Sequence, residues 1–131
     1  MRWAVILGVS SGFGAETARR FAQDGYGIFG VHLDRRGSMP GVNALQDELV
    51  SHGVPVHFHN GNAASETERT AAIGKLAELL ASTDDQVDML LHSLAFGTLR
   101  PYLDDGPTIE KRHLDMTIDV MANSLVYWVQ D

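Results

Sequence analysis

Two kinds of apolar pattern alternate along this chain. Short runs rich in β-branched or aromatic residues are separated by longer stretches whose apolar residues recur three or four apart. Trp3-Ala4-Val5-Ile6-Leu7 is apolar throughout, as a parallel strand buried on both faces requires, and Gly8 to Gly14 make a turn after it. Ala18, Phe21 and Ala22 then keep helical spacing as far as Gly25, which predicts a helix over about Gly12 to Asp24. Ile28 to Leu33 predicts a second strand and the polar stretch Asp34 to Gly41 a loop. Val42, Leu45 and Leu49 predict one face of a second helix, closed by Gly53. Val54 to His59 predicts a third strand. Ser65 and Glu68 stand at capping-box spacing ahead of the stripe Ile73, Leu76, Ala77 and Leu80. Val87 to His92 predicts a fourth strand, and Leu114, Ile118, Met121, Leu125 and Trp128 repeat at helical spacing towards Asp131, a stripe expected to pack on the sheet.

Strands and helices in alternation imply repeated βαβ units and an α/β fold built on a parallel sheet. A length of 131 residues suits one domain, with the sequence showing no repeat or linker. The absence of cysteine removes thiol nucleophiles, thiolate metal sites and disulfides, which leaves a cytoplasmic protein as the expectation. Arg2 followed by an apolar run has the outline of a signal peptide, but the run stops at the glycine-rich turn. No stretch approaches the roughly 20 apolar residues of a membrane span. A net charge of -7, with basic residues clustered no further than pairs such as Arg19-Arg20 and Arg35-Arg36, argues against nucleic acid as a partner. The last helix reaches Asp131 without a stop signal, so the chain is expected to be cut short there.

The chemistry concentrates in Gly8-Val9-Ser10-Ser11-Gly12-Phe13-Gly14. A glycine-rich turn between a strand and a helix presents backbone N–H groups and the positive helix end to a pyrophosphate, and Ser10 and Ser11 add hydroxyl donors. Asp34 follows about 20 residues later, where an acid would hold the adenosine ribose of NAD; Arg35 and Arg36 would instead hold the 2′-phosphate of NADP. The two signals conflict, His32 or Leu33 competes for the selecting position by register, and the arginines tip the expectation towards NADP. A plain Asp34–Arg35 surface ion pair accounts for the same residues. His57 and His59 project to one face of a strand, yet no third ligand lies near them in sequence, so they are expected to be structural.

The spacing Gly-x-x-x-Gly-x-Gly resembles that of the short-chain dehydrogenases/reductases, with Leu7 where that family has threonine. Asn62-Ala63 resembles the pair that holds the adenine ring in the family. His92-Ser93-Leu94-Ala95-Phe96 is similar to the His-Ser-Ile-x-Phe of bacterial enoyl-acyl carrier protein reductases, and Asp119 stands where those enzymes often carry Asp in place of the family's active-site asparagine. The resemblance implies the amino-terminal part of a Rossmann fold, a doubly wound parallel sheet of order 3-2-1-4, spanning residues 1–131. It also implies NAD(P)H held by Gly8, Ser10, Ser11, Gly12, Phe13, Gly14, Asp34, Arg35, Asn62, Ala63, Ser93, Leu94, Ala95 and Asp119, hydride transfer to a small-molecule or acyl-thioester substrate, and a homo-oligomer. The family's catalytic Tyr-x-x-x-Lys pair, or its wider-spaced form, has no counterpart here: Tyr26, Tyr102 and Tyr127 have no lysine at either spacing. No catalytic residue and no metal ligand is assigned. A dinucleotide-sensing domain without turnover is the competing expectation. Sugar-nucleotide epimerases share the fold but show a different glycine spacing.

Overall fold

A computed structural model describes residues 1–81 and 83–131, which form two units, Met1–Ser93 and Leu94–Asp131. The first unit carries a four-stranded sheet with strands β1 (Arg2–Leu7), β2 (Gly27–His32), β3 (Val56–Asn60) and β4 (Gln86–His92). Their order is β3-β2-β1-β4 and every pairing is parallel, as expected. The apolar runs explain this placement: every residue of β2 is buried, and in β1 only Arg2 is exposed, so these two strands occupy the middle.

Three helices connect the strands: α1 (Gly12–Gln23), α2 (Met39–Val50) and α3 (Glu66–Leu80). Ala4 and Ile6 of β1 and Ile28 of β2 share one core with Ala15, Ala18 and Ala22 of α1 and Leu45 and Leu49 of α2. The alanine row keeps α1 close to the sheet. Phe29 and His57, paired across β2 and β3, stack at 5.2 Å.

Four expectations need correction in this unit. The second helix begins at Met39, inside the predicted loop, because Pro40 suits a first helical turn, where its missing N–H is no loss. The third strand begins at Val56 rather than Val54; Pro55 has no N–H for the ladder, and its carbonyl instead accepts from Ile28 N at 2.9 Å. The stripe of α3 is turned: Ala72 and Leu76 are buried, whereas Ala77 is exposed. The capping box is half made, since Ser65 Oγ accepts from Glu68 N but the Glu68 carboxylate takes the His59 Nε2 donor at 2.8 Å.

The second unit holds an irregular stretch, then α4 (Lys111–Ile118), a π-helical segment Asp119–Asn123 and α5 (Ser124–Gln130). Of the predicted stripe, Trp128 alone is buried. Leu114, Ile118, Met121 and Leu125 are exposed, while His113, Val120, Ser124 and Trp128 are buried. Ser124 tolerates burial because its hydroxyl donates to Val120 O at 2.7 Å. The wider π turn also breaks the 3.6-residue period on which the expectation of one continuous helix rested.

Candidate cofactor site

The carboxyl ends of all four strands lie along one edge of the sheet, joined by short backbone bonds. Gly8 N and Val9 N donate to Val31 O at 2.8 and 3.1 Å, Gly61 N donates to His32 O at 2.8 Å, and Ser93 N donates to Leu7 O at 2.9 Å. The turn after β1 is thereby tied through main chain. Leu7, which stands where the family has threonine, is fully buried.

Each glycine of the motif has its own reason. Gly8 and Gly12 sit at φ values of 87° and 54°, in the left-handed region. Gly14 has ordinary φ, but a Cβ there would lie 1.8 Å from the Gly8 carbonyl oxygen, so it lets α1 start against the strand end. Ser11 is the N-cap of α1 in extended conformation, makes no side-chain cap, and no acidic residue occupies the first turn. The helix therefore starts without a carboxylate of its own to neutralise its positive end, a donor set that fits a phosphate. Phe13 is exposed beside it.

A cleft of about 480 Å³ opens beside this turn between α1 and α2, with Ser10, Ser11, Phe13, Arg19 and Glu48 in its lining. Arg19 is already satisfied: its Nε and Nη2 donate to the Glu48 carboxylate at 2.8 and 3.0 Å and its Nη1 to Glu16 at 2.7 Å. It is a wall of the cleft rather than an anion receptor.

At the end of β2 stand the residues the sequence left open. His32 is buried and Leu33 is 69% exposed. The Asp34 carboxylate does not pair with Arg35; His32 Nδ1 donates to it at 3.0 Å, and the Asp34 side chain is only 18% exposed. Burial pushes the Asp34 carboxyl up, but hydrogen bonds from Ser10 and His32 outweigh that and hold it below its ordinary value. Arg35 and Arg36 are exposed, and no ion pair of either is recorded among the described residues.

Asn60, which sequence reasoning missed, faces Asp34 from the end of β3. Its Oδ1 accepts from Asp34 N and its Nδ2 donates to Asp34 O, both at 3.0 Å. Parallel β2–β3 register was the signal that could have found it, since it pairs His32 with Asn60. Asn62 Oδ1 accepts from Ala64 N at 2.9 Å, so the side chain closes a small turn and what it offers a ligand is its NH2. Ala63 is buried next to it.

Ser93 is half-buried where β4 ends. Leu94 and Ala95 open the second unit outside any helix or strand, and within that unit Asp119 accepts from the Tyr127 hydroxyl at 3.2 Å. His57 stacks on Phe29 and His59 meets the Glu68 carboxylate, and no group of three or more potential metal ligands is found among the described residues. Nor is any helix among them long and apolar enough to cross a membrane.

Comparison with known proteins agrees with this architecture. The alcohol dehydrogenase of the archaeon Thermococcus sibiricus, solved with 5-hydroxy-NADP, is similar over 99% of this chain and 51% of its own, at 22% identity and a TM-score of 0.77. L-Sorbose reductase of Gluconobacter frateurii, solved with NADPH and L-sorbose, matches 97% of this chain and 44% of its own at 19% identity and a TM-score of 0.76. An NAD+-bound xylitol dehydrogenase matches 98% and 45% at 14% identity and a TM-score of 0.77. The chain spans about half the length of these structures, and at such identities the likeness establishes the fold alone. The family model described as Enoyl-(Acyl carrier protein) reductase matches residues 8–131, nearly the whole chain. With the parallel 3-2-1-4 sheet and the glycine turn at its carboxyl edge, this chain belongs to the short-chain dehydrogenases/reductases that the model describes.

Proposed function

We propose that residues 1–131 are the NAD(P)H-binding part of an oxidoreductase that passes a hydride from the nicotinamide to a substrate carbonyl or to the double bond of an enoyl thioester, the latter as in an enoyl-acyl carrier protein reductase. The observation that carries this reading is the turn Gly8–Gly14, whose glycines bring the uncapped start of α1 against the end of β1. There Gly8, Ser10, Ser11, Gly12, Phe13 and Gly14 would hold the pyrophosphate. Asn62 and Ala63 would meet the adenine ring. Ser93, Leu94, Ala95 and Asp119 carry the resemblance to the enoyl reductases and are proposed for the nicotinamide side. The dinucleotide supplies the hydride when bound; the chain supplies orientation and electrostatics.

NADP is proposed over NAD. Asp34, the residue that would accept ribose hydroxyls, has its carboxylate engaged by His32, while Arg35 and Arg36 beside it are exposed cations. Two of the similar structures hold a phosphorylated dinucleotide and one holds NAD+, so the support for NADP comes from these side chains. A cytoplasmic homo-oligomer belongs to the same proposal. Titration of the chain with NADPH, read by quenching of tryptophan fluorescence, tests it, with saturable binding expected and absence of binding to either dinucleotide refuting it. Reduction of an enoyl thioester by the protein carrying the Tyr/Lys pair separates the enzyme from a dinucleotide-sensing domain, which would bind without turnover.

A further inference from the structure

Between Asp34 and Met39 the chain turns from β2 into α2, and the four residues in between include Arg35 and Arg36. One side chain reaches both ends of that turn. Asn60 Oδ1 accepts from Asp34 N and its Nδ2 donates to Asp34 O, each at 3.0 Å; the same Nδ2 lies 3.7 Å from Met39 Sδ, where α2 begins. Inside the turn, Ser38 N and Ser38 Oγ both donate to Arg35 O, which leaves the arginine side chains as its outward groups. The Asp34 carboxylate is directed to His32 at 3.0 Å. Asp34 thus has its main-chain N–H and carbonyl bonded to Asn60 and one carboxylate oxygen, Oδ2, bonded to His32.

We infer that Asn60 is a positioning residue for dinucleotide selection: it pins the Asp34–Met39 turn so that Asp34 serves as a clasp and Arg35 and Arg36 present their guanidinium groups to a 2′-phosphate. This rests on the reading of the chain as an NAD(P)H-binding unit. Asn60 does not touch the ligand; it acts through the arginines. The physical reason is entropic. A short turn with two arginines loses conformational freedom on binding unless it is already fixed, so the two backbone bonds from Asn60 lower the cost of ordering it around the phosphate.

The test compares dissociation constants for NADPH and NADH in the chain, in Asn60→Ala, in Arg35→Ala/Arg36→Ala and in the triple variant. Asn60 is exposed, so its truncation is expected to leave the fold intact, as circular dichroism will show. The expected result is that Asn60→Ala lowers the preference for NADPH over NADH about tenfold, the worth of two neutral hydrogen bonds. In the variant lacking both arginines, Asn60→Ala then changes the preference no further. Equal weakening of both dinucleotides, or a full effect of Asn60→Ala without the arginines, overturns the inference and makes Asn60 a general support of the sheet edge. An unchanged preference in Asn60→Ala, or a parent chain with no preference or a preference for NADH, overturns it as well. Failure of the parent to bind either dinucleotide removes the underlying reading, an outcome distinct from the others.

Discussion

At the residue scale, glycines that look alike in the motif do different work. Gly14 faces a carbonyl oxygen that cannot move without displacing β1, so Gly14→Ala is expected to cost more than about 3 kcal/mol in urea denaturation. Gly12 has φ +54° and open space around it. Gly12→Ala therefore meets only backbone strain, and about 1–2 kcal/mol is expected in the same measurement. A reversed order of the two costs would contradict the packing of α1 on the strand end. The Asp34 site teaches the same lesson from the polar side: an acid at the expected distance from the turn is present, and its partners decide what it can bind.

At the element scale, α3 and β3 meet through polar groups. Burial, with the charges of Lys75 and His59, pushes His57 below its ordinary value of 6.5. The unfolded chain then takes up this proton at higher pH than the folded one, so stability present above about pH 6.5 is lost as the pH falls through the folded pKa. Thermal midpoints measured across this range are expected to fall on acidification, and His57→Gln to remove that part of the decline. The lowered Asp34 carboxyl has the same sign and acts in the more acidic range, below its ordinary 3.8. On the exposed side of α3, Gly74 has ordinary φ and nothing near its missing Cβ. Gly74→Ala should stabilise the unit by about 0.5–1 kcal/mol through helix propensity alone, measurable by urea denaturation.

At the scale of the whole molecule, the sheet has β3 and β4 as its outer strands, and α4 and α5 leave Leu114, Ile118, Met121 and Leu125 exposed. Such a stripe is a surface that association would cover, in keeping with the proposed homo-oligomer. Sedimentation of the protein is expected to show a species larger than the monomer, and Leu114→Glu/Ile118→Glu to shift it to monomer while NADPH binding is retained. A parent chain that sediments as monomer at all concentrations would end that proposal.

The strands and the helices of the first unit were legible in the sequence because they rest on local quantities, whereas the strand order came from the family resemblance of the glycine turn. Unbroken apolar runs such as Trp3–Leu7 demand burial on both faces, and a glycine turn between strand and helix has few geometries available. What escaped depends on partners far away in the chain. Glu68 stood at capping-box spacing but found His59; Asp34 stood beside Arg35 but found His32 and Asn60. In the last helices two of the covered positions, His113 and Ser124, are polar, and apolar periodicity does not point to them. The sequence by itself determined the α/β class, the parallel sheet and the place of the glycine turn, since backbone sterics and hydrophobic periodicity act over a few residues. Only the tertiary structure decided which polar side chains pair and which are left for a ligand, because β2–β3 register sets His32 opposite Asn60, and hydrogen bonds form only between groups that register brings within 3 Å or so.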